Sequence, residues 1–174
     1  LPGKTDFDII VDQELLRERL NGKLPVIKIA DYDFIVDFPL KELRPNNDFN
    51  NSIRLHELYY SIEEEKYKAF FHVPTHSIID INPATIKELP KNLVQIEIPF
   101  ERKLDPIGAA KEYGFDYKDL LIKYPLERNL EAKVIPIEKT NLPYLVKVNN
   151  EREKDLQKNK PHKSLRRRKN GKGL

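Results

Sequence analysis

Seven lysines and arginines fall within residues 159–174 with no acidic side chain among them: Lys160, Lys163, Arg166, Arg167, Arg168, Lys169 and Lys172. A guanidinium presents a planar fork of donors that fits two oxygens of one phosphate. The run Arg166-Arg167-Arg168-Lys169 is compact enough to meet several phosphates together. The chemistry on offer is non-covalent capture of a polyanion. The whole chain carries +3, so residues 1–158 sum to −4. A mildly acidic body with a concentrated basic end points to nucleic acid as a partner, through the tail, without distinguishing DNA from RNA. Proline, glycine and asparagine interrupt the tail, and only Leu165 and Leu174 are apolar, so it is expected to be disordered when free.

Other reactive residue types are spaced for metal chemistry, but their surroundings argue against it. His72 and His76 would share one face of a helix and could hold a single ion, yet Pro74 lies between them and the run reads as a hairpin. Asp80 is followed about twenty residues later by Glu101-Arg102-Lys103, an order some Mg²⁺-dependent nucleases use to hold the metal and steady the attacking water. Here Glu101 and Lys103 follow Pro99 in an apparent loop. The strand acid Glu97 has Pro99 where the lysine belongs. Asp31, Asp33 and Asp37 lack the glycine and terminal glutamate of a calcium loop. No glycine-rich phosphate loop, nucleophile elbow or dinucleotide fingerprint occurs. With no cysteine, the chain has no thiolate nucleophile, disulfide or cysteine zinc site. The sequence is therefore read as non-enzymatic, without metal or cofactor, and a metal-dependent nuclease ranks as a third reading.

The elements that must position any site follow from apolar spacing and punctuation. FDIIV at 7–11 reads as a strand. Asp12 then caps a helix, QELLRERL, which ends at Asn21-Gly22 and places Leu15, Leu16 and Leu20 on one face. Residues 24–30 and 32–38 read as strands joined near Asp31, and 44–51 as a loop. IRLHEL from Ile53 alternates as a strand would. KYKAFFHV and HSIIDI form a hairpin around Pro74. A helical turn lies between Pro83 and Pro90, a strand over 93–98, another over 132–137, and a helix from about 142 to 158. The class is α+β. The runs 24–30, 32–38, 66–73, 77–81 and 93–98 are expected mainly in one antiparallel sheet.

Residues 105–124 read as an αα-hairpin. Asp105-Pro106 supplies an N-cap and a first-turn proline, Asp116 caps the second helix, and Gly114 is expected at positive φ in the turn. Ala110, Phe115 and Leu120 are expected to be buried. A DNA-reading helix-turn-helix would have the same spacing, but Asp116 and Asp119 would set two carboxylates against phosphate.

A length of 174 residues accommodates one α+β domain over 1–158 plus the tail. Charged residues make up 34% of the chain, which requires a polar surface around the core. No apolar run approaches the ~20 residues needed to cross a bilayer, so no membrane partner and a cytoplasmic location are expected. The chain has no methionine and opens on Leu1, which reads as a trimmed start. Together these features describe a nucleic-acid-associated accessory protein whose body docks on a protein partner while the tail meets the phosphate backbone. The rival reading is a protein-interaction or structural module whose tail only solvates.

Overall fold

The computed structural model describes Gly3 and residues 5–159, so the seven basic residues of the tail lie outside the described residues. The described chain is α+β, with antiparallel sheets and several short helices. It divides into two compact units. One comprises residues up to 80 together with 92–135, and the other comprises 81–91 together with the residues from 136 onward.

The larger unit opens with α1 (Asp6–Ile10) and α2 (Gln13–Leu20). The expected strand at 7–11 is thus a helix. Its cause is a reciprocal cap that outweighs β-branched content: Asp8 N–H donates to Thr5 Oγ1, and Thr5 N–H returns to Asp8 Oδ2 at 3.0 Å. Asp6 and Asp8 also set negative charge at the positive end of the helix. Asp12 caps α2 as expected. Leu16 is buried, whereas Leu20 is 52% exposed and leaves the expected face.

A four-stranded antiparallel meander follows: β1 (Val26–Ile29), β2 (Tyr32–Asp37), β3 (Glu42–Pro45) and β4 (Ile53–Arg54). Ile29 pairs with Tyr32, leaving a two-residue turn in which Ala30 and Asp31 both have positive φ. Such turns match the twist of a hairpin, although alanine adopts that conformation at a cost. The second sheet runs β5 (Tyr59–Ser61), β6 (Lys66–His72), β8 (Leu93–Pro99) and β9 (Lys133–Pro136), with β7 (Ser77–Ile79) also paired to β6. The expected strands are present but fall in two sheets rather than one. The alternation from Ile53 ends after two residues, because 55–57 turn as a 3₁₀ helix.

The two sheets share one core. Ile27, Ile29, Phe34, Val36 and Leu43 from the meander lie with Phe71, Ile96 and Ile98 from the second sheet, all essentially without solvent contact. Each such side chain contributes roughly 1.5–3 kcal/mol, against about 0–1 for a typical exposed ion pair, so this cluster dominates the stability of the unit. Residues 130–132 connect the sheets. Lys28 N–H donates to Leu130 C=O and Ala132 N–H to Lys28 C=O, both at 2.9 Å, before the chain continues into β9.

Helices α3 (Glu101–Leu104), α4 (Pro106–Tyr113) and α5 (Tyr117–Lys123) lie between β8 and β9. The αα-hairpin forms with both expected caps. Gly114 takes φ +74°, and Ala110 is buried. Phe115 is instead 48% exposed and Leu120 is half-buried, while Leu121 is fully buried. Helix α5 starts after the expected Asp116 cap, and the side chain that it packs into the Val11–Leu16 cluster is Leu121 rather than Leu120.

In the smaller unit, α6 (Leu142–Lys158) begins and ends as the sequence predicts. Buried Asn149 donates to Pro83 C=O (2.9 Å) and Ile86 C=O (2.8 Å), and Asn150 donates to Lys87 C=O. A polar side chain mid-helix therefore satisfies the carbonyls of the 81–91 turn. Among the described residues, no helix is long and apolar enough to cross a membrane.

Candidate functional site

A cleft of about 630 Å³ opens in the larger unit. Its walls come from four stretches: the 55–60 segment, the start of β6, the β8–α3 junction, and the ends of α4 and α5. Tyr60 pairs with Tyr67 across the β5–β6 hairpin, and their rings lie 4.9 Å apart. Phe100 meets Tyr124 edge to face at 5.0 Å. Four of the eight tyrosines line the cleft: Tyr60, Tyr67, Tyr113 and Tyr124.

Glu101 is its polar centre. Proline ends β8 at position 99, and the chain turns at Phe100 into α3, which sets Glu101 at the first helical position. Tyr113 donates to Glu101 Oε2 at 2.8 Å, and Tyr67 donates to Oε1 at 3.3 Å. Lys41 Nζ lies 3.5 Å from Oε2 and 2.7 Å from Glu112, while standing 3.3 Å above the centre of the Phe38 ring. The hydrogen bond to Glu101, then burial, pushes the Tyr113 phenol up to about 12. Burial, then Glu101, raises Tyr67, and burial followed by the charge of Glu65 raises Tyr60. These phenols stay neutral at physiological pH and serve as hydrogen-bond donors.

Two cations border the same space. The Arg102 guanidinium lies 5.3 Å from the Phe115 ring, and Lys123 Nζ lies 5.4 Å from the Tyr124 ring. Neither forms an ion pair among the described residues. The arrangement can therefore accept an anion beside aromatic faces.

The seven basic residues of the tail lie outside the described residues, and the histidine and acidic candidates raised from the sequence sit away from the cleft, with one exception. His76 stacks on Tyr32 of β2 with ring centres 3.7 Å apart, while His72 Nδ1 bonds Thr75 Oγ1 within its own hairpin at 2.7 Å, so each imidazole already has a partner. Glu97 is buried on β8 and paired with Lys66. Asp37 is paired with Arg44. Asp80 follows β7 and lines a different hollow from the one that holds Glu101. No group of three or more His, Asp or Glu is placed to hold a metal ion among the described residues. Glu101 alone enters the cleft, as an acceptor for phenols.

The cleft itself is not legible in the sequence. The available signal is the adjacency of aromatic and charged residues in Phe100-Glu101-Arg102 and Lys123-Tyr124, which periodicity does not weigh. No family model, curated protein or solved structure matches this chain.

Proposed function

We propose that the protein is a non-enzymatic, nucleic-acid-associated accessory protein whose basic tail contacts the phosphate backbone while the folded body docks on a protein partner. The observation that carries this reading is the separation of charge: +7 within residues 159–174 against −4 in the remainder. An acidic body is repelled by a run of phosphates, so long-range attraction to a duplex backbone comes from the tail. Docking is supported by the β5–β6 hairpin, where Tyr59 is 68% and Ile62 82% exposed on a short edge strand and its turn. Apolar side chains grouped at a sheet edge are a common feature of protein-binding surfaces.

The test compares full-length protein with a variant lacking residues 159–174 on the same duplex DNA and duplex RNA across a salt series. The full-length protein should bind with a slope of log K against log salt of roughly −3 to −5, and the truncated protein should lose nearly all affinity. Equal binding by both would reject the tail as the contact. Binding by neither would favour the protein-interaction module.

A further inference from the structure

The tyrosine-lined cleft has the size, the walls and the charges of a ligand site, and its internal bonds leave a specific part of it unused. At about 630 Å³ it lies within the ~300–1,000 Å³ range of small-molecule sites. Tyr60 and Tyr113 remain 37% and 49% exposed despite lining a concavity, so aromatic surface faces open space. Glu101 is engaged by Lys41 and two phenols and is not a free charge. The lysine and arginine that line the cleft, Lys123 and Arg102, have no ionic partner among the described residues.

We propose that this cleft takes one unpaired nucleotide of a single-stranded nucleic acid, with the base against the tyrosine walls and its phosphate at Arg102 and Lys123. The choice of ligand rests on the nucleic-acid reading above; the site does not involve the tail. Stacking on tyrosine tolerates any base, because every base offers a π-face, and the cations meet the phosphate beside it. A duplex is excluded by shape, since its bases are stacked inside and cannot enter a side-chain cleft without being extruded. Glu65, exposed at the β5–β6 turn, adds a carboxylate to the rim. An acid there disfavours a run of phosphates through the cleft and suits a single one. The high phenol pKa values keep Tyr67 and Tyr113 uncharged, so they add no repulsion.

The experiment uses the full chain, with and without Gln at Arg166, Arg167 and Arg168, and two probes: a short oligothymidylate and a duplex of similar length. With no tryptophan and eight tyrosines, the intrinsic fluorescence reports tyrosine alone. The oligothymidylate should bind the tail variant and quench this emission, whereas the duplex should not. Tyr60→Ala should weaken oligothymidylate binding about tenfold while Tyr60→Phe retains it. The double variant Arg102→Gln/Lys123→Gln, both exposed positions, should weaken it with an unchanged unfolding temperature. Oligothymidylate binding unaffected by the cleft variants would overturn the proposal. So would a tail variant that binds neither probe while the parent binds both; the tail reading would then stand. A parent chain that binds neither probe would reject both readings.

Discussion

Two helices begin on an aspartate gripped by an arginine, and the two grips are built at different depths. At the start of α4, Asp105 accepts from Gly108 N–H at 3.0 Å and from Arg19 Nε and Nη2 at 3.1 and 2.7 Å. Its side chain has no solvent contact, and that of Arg19 is 15% exposed. At the start of α2, Asp12 accepts from Glu14 and Leu15 N–H and from Arg128 Nε and Nη2 at 2.9 and 3.2 Å. There the side chains are 34% and 48% exposed. The bonding is nearly the same, but water can replace the second grip and cannot replace the first. Removing a partner from the buried pair strands a charge, whereas doing so at the surface exposes it to solvent. Depth, rather than bond count, sets the consequence.

The largest expected effect comes from breaking the buried grip. Asp105→Ala should cost about 3–5 kcal/mol in chemical denaturation, because Arg19 is left unpaired and α4 loses its cap. Asp105→Asn keeps a capping oxygen and should cost less; equal losses would show that charge dominates. Gly108→Ala comes next. A methyl there would stand 2.4 Å from Asp105 Oδ2 and 3.0 Å from Phe38 Cβ, so the carboxylate must move out of its bidentate position. A loss of roughly 1–3 kcal/mol is expected, coupled to Arg19 in a double-mutant cycle.

Gly114, at the other end of α4, has nothing within 4 Å of the point where a Cβ would stand, so only its φ of +74° opposes a side chain. Gly114→Val should destabilise by more than about 1 kcal/mol, with no coupling to Arg19. The smallest effect is at Asp12. Bonds from Leu15 N–H and then Arg128 hold its carboxyl below the ordinary 3.8. A depressed carboxyl stabilises the fold above its unfolded value and loses that contribution as pH falls through the folded one. Asp12→Asn should therefore lower stability slightly at neutral pH, leave it little changed in acid, and so flatten the acid limb of a denaturation series below about pH 4. An unchanged acid limb would mean that the exposed grip contributes nothing.

What the sequence makes legible is local. Asp12, Asp105-Pro106, Asp116 and Gly114 act within one helical turn, so their roles can be read without knowing the fold. The span of α6 is legible for the same reason. FDIIV misleads because its β-branched residues stand out more than the Thr5–Asp8 box. Phe115 is exposed, and Leu121 rather than Leu120 is fully buried, because burial depends on how α5 packs against α1 and α2. The partition into two sheets is not legible, since strand content does not state which strands pair. The cleft is the least legible. Glu101 can be singled out only as an acid, and its phenol donors stand 34 and 12 residues away in sequence.

The bonds between Lys28 and residues 130–132 have a consequence for the order of assembly. The meander pairs neighbours in sequence and can close early, whereas this seam closes a loop of about a hundred residues, whose entropy must be met before any contact rewards it. The seam should form late. In a pulse-labelling experiment the Lys28 and Ala132 amides should gain protection after those of the meander, and their closure should set the folding rate.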